Sequence, residues 1–202
     1  MRTANEALVV VDMQNDFCPG GALAVAGGDE IAPDIAALME EFRTVVLTQD
    51  WHPKGHSSFA SAHPGRAPFS LIDMPYGAQV LWPDHCIRGS GGAAFHPAVP
   101  QDAAHVIIRK GTDPAIDSYS AFFENDRTTP TGLEGYLRSR GISHLTMVGL
   151  ALDFCVSYSA IDGARLGFSV NVRRDLSRAI DLDGSLDAAL GAMSAAHVRI
   201  EG

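Results

Sequence analysis

The sequence predicts a three-layer α/β/α fold, in which helices cover both faces of a mostly parallel sheet of about six strands. Short runs of valine, isoleucine and leucine alternate along the chain with segments of helical periodicity. These runs are apolar at successive positions, as expected of strands buried on both faces of a parallel sheet. The 202 residues suit one large α/β domain, and no linker or repeat divides them. We therefore predict a single domain spanning residues 1–202.

The predicted strands share an apolar composition that is rich in β-branched residues. In chain order they are residues 7–11, 44–48, 105–109, 144–149, an alternating segment at 168–172, and 197–200.

The predicted helices have apolar residues at three- and four-residue spacing. They are residues 29–42, 131–140 and 155–166, and a final helix with Leu186, Leu190 and Met193 on one face. Thr131 and Glu134 have the spacing of a capping box at the start of the second helix.

Residues 50–103 interrupt this alternation. They carry both tryptophans, many histidines and prolines, and no clear periodicity. A loop region of this length inside a compact domain is usually functional, so we expect this one to contribute to a binding site.

Composition argues against several classes of protein. The net charge of −9 opposes binding to nucleic acid or to an anionic membrane. The polar N-terminus lacks the apolar segment of a signal peptide, and no apolar run approaches the length of a membrane span. The three cysteines show no disulfide spacing. We expect a cytoplasmic protein, and the sequence does not indicate whether it forms a homo-oligomer.

Reactive residues follow four of the predicted strands. Asp12 follows the first, Asp50 and His52 follow the second, Lys110 follows the third, and a turn leading to Cys155 follows the fourth. Taken singly, each has an ordinary explanation as a turn aspartate, a solvated lysine or a small buried cysteine. Because the carboxyl ends of parallel strands meet at one edge, their common position there indicates a site.

Cys155 is the candidate nucleophile, because it begins a predicted helix directly after a strand. Backbone amides and the helix dipole favour the thiolate at such a position. Asp12 could accept the proton of the thiol, and Lys110 would hold that carboxylate in place. Cys18 and Cys86 lie in long loops, and we interpret both as packing residues.

Asp50 and His52 are candidate metal ligands. Residues two apart in an extended segment face the same side, so one carboxylate and one imidazole can reach a common ion. His85 follows a stiff Trp-Pro-Asp segment and is the best placed of the remaining candidates, which are His56, His63, His85 and His96. The alternative is a loop whose histidines hydrogen-bond to buried carbonyls.

Five blocks within residues 9–156 resemble, in order, the motifs of a known family. They are VVVDMQNDFCPGGAL, TQDWHPKGHSSF, LWPDHC, IRKG and VGLALDFCV, and GARLGF at 163–168 also fits. The chain is similar to the nicotinamidase/pyrazinamidase family of the isochorismatase-like cysteine hydrolase superfamily. The combination of DWH with WPDHC is typical of the metal-bearing amidases in it.

The resemblance implies an isochorismatase-like fold and a nicotinamidase, which converts nicotinamide to nicotinate and ammonia, and pyrazinamide to pyrazinoate, through a thioester. It implies that Cys155 is the nucleophile, Asp12 the general base and Lys110 its partner. It also implies one divalent metal ion, held by Asp50 and by the imidazoles of His52 and His85. Zinc is the expected ion, with iron or manganese as alternatives.

Further implications concern the substrate. Phe17 and Trp82 match the aromatic residues that enclose the pyridine ring, whose nitrogen the family's metal binds. The amides of Ala151 and Cys155 match the oxyanion hole, and the peptide bond before Ala151 is expected to be cis. His56 matches a further ligand that only some members have, and we leave it undecided.

Some residues depart from the family pattern, and some alternatives remain. Leu152 and Phe154 stand where relatives often have Thr and Tyr or His, which affects the shape of the pocket. Other superfamily members include metal-free carbamoyl amidases and isochorismatases. The three ligands argue against the former, and Cys155 argues against the latter. A metal-stabilised binding protein with an inert cysteine is the more distant alternative.

Overall fold

Residues 2–202, which the computed structural model describes, form eight strands. They are β1 (Glu6–Val11), β2 (Val45–Asp50), β3 (Leu71–Met74), β4 (Gly77–Val80), β5 (Val106–Lys110), β6 (His144–Leu150), β7 (Ser169–Arg178) and β8 (Arg199–Glu201). Four α-helices accompany them in the same residues: α1 (Ala32–Met39), α2 (Leu133–Ser139), α3 (Ser157–Arg165) and α4 (Ser185–Ala195). A π-helical turn (Leu152–Val156) directly precedes α3.

Six of the strands form one sheet in the order β5-β2-β1-β6-β7-β8, and every neighbouring pair is parallel. From β1 the chain moves outward through β2 to β5, then returns to the other side of β1 for β6, β7 and β8. With right-handed crossovers, this reversal places α1 on one face and the later helices on the other. The predicted α/β fold with a six-stranded parallel sheet is confirmed.

The sheet is buried because its central strands are apolar on both faces. All six residues of β2 are buried, and so are five of the six in β1. Gly149 lets β6 approach β1 closely, because a Cβ atom there would lie 2.1 Å from the carbonyl oxygen of Val11. The reversal of strand order between β1 and β6 opens a crevice at the carboxyl ends of these two strands.

Several element boundaries differ from the prediction. Helix α1 covers only Ala32–Met39 and carries a proline in its first turn, so the helix begins later than its apolar periodicity suggests. The predicted capping box of α2 is wrong, because Gly132 is the N-cap. The hydroxyl of Thr131 accepts from the amide of Leu133 at 3.3 Å and donates to the carbonyl oxygen of Ala121 at 2.6 Å. Strand β7 runs to Arg178, beyond the predicted end at residue 172.

Residues 50–103 contain an element that the sequence did not predict. Strands β3 and β4 pair there as an antiparallel ribbon, separate from the main sheet. Its strands have only four residues each, too short for a clear period in the sequence. Within residues 2–202, no helix is both long enough and apolar enough to span a bilayer.

Candidate active site

The residues expected at the sheet edge are together in the structure. Asp12 follows β1, Lys110 ends β5, and Cys155 lies in the π-helical turn after β6. Side-chain atoms of Asp12, Asp50 and Cys155 lie within 4.8 Å of one another. All four side chains are buried, and Asp12 and Lys110 have no exposed surface. The crevice at the strand reversal therefore contains a thiol, two carboxylates and one ammonium.

Lys110 contacts every other member of this cluster. Its Nζ lies 2.8 Å from Oδ2 of Asp12 and 2.5 Å from Oδ1 of Asp50. The same atom donates to the carbonyl oxygen of Ser118 at 2.9 Å and lies 3.5 Å from Sγ of Cys155. The expected pairing of Lys110 with Asp12 is present, and the contact with Asp50 extends it to the candidate metal ligands.

The two oxygens of Asp12 have different surroundings. Oδ1 accepts a hydrogen bond of 2.6 Å from the hydroxyl of Thr48. Oδ2 faces Lys110 but has no hydrogen bond of good geometry among the described residues. Burial raises the pKa of Asp12, Asp50 adds to this effect, and Lys110 opposes it. Oδ2 is therefore the oxygen that is free to accept a proton.

The thiol of Cys155 is surrounded by charged groups. Burial raises the pKa of its thiol well above the usual range, against the opposing effect of Lys110, and Asp12 and Asp50 add to the rise. The thiol needs a base beside it, and Asp12 is in that position.

The candidate metal ligands converge on one point. Ligand atoms of Asp50, His52 and His85 lie within 4.8 Å of one another. Oδ2 of Asp50 lies 3.5 Å from Nε2 of His52 and 3.6 Å from Nε2 of His85. On the far side of each ring, Nδ1 hydrogen-bonds to a backbone carbonyl, that of Gly111 at 3.0 Å and that of Pro83 at 2.8 Å. This arrangement fixes the tautomer that leaves Nε2 as a lone-pair donor.

A buried ring nitrogen without a hydrogen-bond partner indicates whether a metal ion fits these residues. Nε2 of His52 is buried and has no hydrogen-bond partner among the described residues. Although burial lowers the pKa of His52, Asp50 and Asp117 raise it above the usual value, so this point attracts positive charge. Two imidazoles and one carboxylate are a ligand set suited to zinc, iron or manganese, and these residues fit a divalent cation.

Gly111 makes room for His52. Its φ of +64° lies in the left-handed region, and a Cβ atom there would lie 2.4 Å from Cε1 of the imidazole. A residue with a side chain would therefore strain the backbone and displace the ring.

The other loop histidines have different surroundings. Both ring nitrogens of His56 are engaged, Nδ1 by the hydroxyl of Ser58 at 2.8 Å and Nε2 by the carbonyl oxygen of Asp113 at 2.8 Å. Nε2 of His63 bonds to the carbonyl oxygen of Ser57 at 2.7 Å. His96 joins none of the candidate ligand groups found in residues 2–202. Cys18 and Cys86 are buried free thiols, and burial raises the pKa of each.

A small cavity is lined by the thiol and by two of the candidate metal ligands. Its polar lining includes Asp50, His85 and Cys155, and its apolar lining is Phe17, Leu23, Trp82, Tyr119, Ala151, Phe154 and Ile180. The predicted aromatic pair, Phe17 and Trp82, is thus in this wall. The peptide bond between Leu150 and Ala151 is cis, as expected.

Sequence reasoning missed some residues of this cavity. Asp117 also lines it, and one carboxylate oxygen of Asp117 lies 3.9 Å from Nε2 of His52. Tyr119 joins the wall from the same loop after β5. One partial signal was present in the sequence, because this loop leaves the same sheet edge as Lys110, but its return, which brings the carbonyl oxygen of Ser118 to Nζ, is visible only in the structure. Phe154, treated as a flanking residue, packs edge-on against Trp82 with ring centroids 4.9 Å apart.

Comparisons with known proteins agree with this geometry. The Isochorismatase domain family matches residues 6–200. A nicotinamidase of Acinetobacter baylyi is 54% identical over 98% of this chain and 94% of its own length. The chain belongs to the nicotinamidase/pyrazinamidase family of the isochorismatase-like hydrolases.

Solved structures of this family share the fold. A nicotinamidase and pyrazinamidase from Acinetobacter baumanii superposes with a TM-score of 0.97 at 52% identity, covering 99% of this chain and 97% of its own. The Pyrococcus horikoshii pyrazinamidase, solved in complex with zinc, has a TM-score of 0.78 at 35% identity, with 98% of each chain covered.

Proposed function

We propose that this protein is a nicotinamidase, which hydrolyses nicotinamide to nicotinate and ammonia through a thioester on Cys155, and that it also converts pyrazinamide to pyrazinoate. The identity to curated nicotinamidases extends over the whole chain. One structural observation supports the proposal. The buried thiol of Cys155 and two of the three candidate metal ligands, Asp50 and His85, line one small aromatic cavity, and Asp12 lies beside the thiol.

We further propose that Asp50, His52 and His85 hold one divalent ion, with zinc as the expected identity. The convergent Nε2 atoms and the zinc complex of the Pyrococcus relative support this assignment. When bound, the ion supplies a Lewis-acidic contact for the ring nitrogen of the substrate. We assign metal and ring binding chiefly to residues 50–103, which contain all three ligands and Trp82.

In the first half of the reaction, Asp12 removes the proton of the Cys155 thiol as the sulfur attacks the amide carbon. The raised pKa of Asp12 favours this transfer, because it makes the carboxylate a stronger base. The C–S bond forms, and the C=O electrons move onto oxygen. The backbone amides of Ala151 and Cys155 are the proposed donors to this oxyanion, a type of contact worth about 3–4 kcal/mol per donor.

In the second half, the oxyanion collapses and the C–N bond breaks. Asp12 returns its proton to the departing nitrogen, which leaves as ammonia. Water then attacks the thioester with Asp12 again as base, and nicotinate leaves as the sulfur regains a proton. Lys110 holds Asp12 within reach throughout, because its ammonium contacts both the carboxylate and the sulfur.

The experiment that tests the function is ammonia release from nicotinamide by zinc-loaded protein. We expect turnover by the wild type and none by Cys155→Ala, because no other group in the cavity can form the acyl intermediate. Cys18→Ala and Cys86→Ala are matched controls that should remain active, since both thiols lie outside the cavity lining. Substantial turnover by the Cys155 variant, or none by the wild type, would contradict the proposal.

A further inference from the structure

Gln79 is a buried polar residue on an otherwise exposed ribbon. It belongs to β4, where Gly77 and Ala78 are exposed, but only 1% of its own surface is accessible. Burial of an uncharged amide is unfavourable unless its hydrogen bonds are replaced, so its partners reveal what it does. Neither the family motifs described above nor the proposed mechanism uses this side chain.

The two ends of the Gln79 amide have opposite surroundings. Nε2 lies 2.6 Å from Oδ2 of Asp117, 2.7 Å from the carbonyl oxygen of Val80 and 3.0 Å from the hydroxyl of Tyr119, all acceptors. Oε1 accepts from the hydroxyl of Tyr76 and from Nδ2 of Asn125, each at 3.2 Å. Donors meet acceptors at both ends, so this pattern fixes the orientation of the amide. The side chain therefore ties the ribbon to the loop after β5.

One of these partners reaches the cavity wall. The Tyr119 hydroxyl, which accepts from Gln79, also accepts a hydrogen bond of 3.1 Å from Nε1 of Trp82. Tyr119 and Trp82 both line the cavity, and their rings meet edge-on with centroids 6.2 Å apart. Burial raises the pKa of Tyr119 well above the usual range, and Asp117 adds to the rise, so the hydroxyl stays neutral.

We propose that Gln79 is a positioning residue for substrate binding, which holds the indole of Trp82 in place through the Tyr119 hydroxyl. The inference rests on the proposed function, because it takes Trp82 as a wall of the ring-binding cavity. Gln79 itself does not line that cavity. Its loss should therefore weaken binding of the aromatic ring more than it slows the chemistry at Cys155.

A double-mutant cycle on nicotinamide hydrolysis tests this chain of contacts. Gln79→Met keeps the length of the side chain without its amide, and Tyr119→Phe keeps the ring without its hydroxyl. Each should raise KM by about 3- to 10-fold, as expected for loss of one hydrogen bond, with a smaller change in kcat. Because the two residues act in series, the double variant should be no worse than the poorer single variant.

The control is Asp73→Met, an equivalent polar-to-methionine change at an exposed position of the same ribbon. It should retain wild-type KM. A wild-type KM in Gln79→Met, or multiplicative effects in the double variant, would overturn the inference. If Gln79→Met does not fold, a wild-type KM in Tyr119→Phe overturns it equally, because the hydroxyl is the middle link.

A spectroscopic readout separates failure of this inference from failure of the function. The chain has two tryptophans, so a Trp51→Phe background leaves Trp82 as the only indole. In that background, Gln79→Met should change the near-ultraviolet circular dichroism and the emission of Trp82, and Asp73→Met should not. This result does not require turnover. An unchanged Trp82 signal would overturn the positioning role even if the wild type hydrolyses nicotinamide.

Discussion

Lys110 is the residue on which both halves of the site depend. Its side chain is fully buried between Asp12 and Asp50, the proposed base and a proposed metal ligand. Burial alone would lower the pKa of the ammonium, but the two carboxylates raise it well above the usual range. Burial would raise the pKa of Asp50, but Lys110 and His52 lower it by more, so it lies well below its usual range. Each charge here is stable only because the others are present.

Replacing Lys110 should therefore destabilise the whole fold. Lys110→Met leaves two buried carboxylates without their cation, and we expect the free energy of unfolding to fall by about 3–5 kcal/mol. Urea unfolding of the metal-free protein measures this change. Lys54→Met, at an exposed lysine, should leave the stability near that of the wild type. A Lys110 variant as stable as wild type would mean that the carboxylates are protonated or solvated.

Thr48 should tune the pH dependence of turnover. Its hydrogen bond to Oδ1 of Asp12 stabilises the carboxylate and lowers its pKa. Thr48→Val removes that bond, so the pKa should rise further and the base should be lost at a higher pH. We expect the acidic limb of the kcat/KM profile to move to higher pH, with little change on its plateau. The control is Thr146→Val, which changes a buried threonine of β6 and should leave the acidic limb in place. Movement of the limb to lower pH in Thr48→Val would contradict the assignment of Asp12 as the base.

At the scale of elements, the turn after β5 positions His52, one of the proposed metal ligands. Gly111→Ala should push the His52 ring away and lower zinc affinity by about 10- to 100-fold, a typical effect of disturbing a ligand's support. Gly132→Ala is a matched control, because Gly132 has φ +96° and a Cβ atom added there would meet no atom within 4 Å. Both variants place an alanine at a positive φ, but only in Gly111→Ala does the added Cβ atom contact another residue, His52. Zinc titration should separate them, and equal affinities would show that His52 tolerates the shift.

Elements were predictable where local sequence dominates. The central strands appear as apolar runs because parallel strands buried on both faces need no alternation. The capping box of α2 was wrong because Gly132 is the N-cap, so Thr131 lies one residue before it and its hydroxyl accepts from the amide of Leu133 and not from that of Glu134. The β3–β4 ribbon was not predicted, because only Gln79 of β4 is fully buried and the segment therefore has no periodic apolar pattern.

Taking the molecule as a whole, metal binding should add to stability, because the ligand group exists only in the folded chain. At a free zinc concentration near 100 times Kd, the gain is about 2.7 kcal/mol. For a chain of this size that corresponds to a rise in Tm of about 5–10 °C. We expect a chelator to remove this rise in the wild type and in His144→Ala, an exposed histidine. His85→Ala should show no rise, and a chelator response in that variant would exclude His85 as a ligand.

The site was more predictable at its strand ends than in its loops. Asp12, Asp50, Lys110 and Cys155 could be grouped from sequence, since a parallel sheet brings its carboxyl ends to one edge. Asp117 and Tyr119 could not, because their places depend on how the loop after β5 returns to Lys110. The state of the thiol was also beyond the sequence. Its pKa is raised by burial and by two carboxylates whose distances only the folded chain defines.

The central position of β1 has a consequence for synthesis of the protein. β1 pairs with β2 on one side, but its other neighbour, β6, is far along the chain, with Glu6 opposite His144. At ribosomal rates of about 5–20 residues per second, the edge of β1 that pairs with β6 stays unpaired for roughly 7–30 s. During that interval an apolar strand has an unpaired edge, which makes the nascent chain a candidate for chaperone binding. Asp12 and Cys155 meet only when β6 docks, so the emerging polypeptide has no hydrolytic capacity before that step.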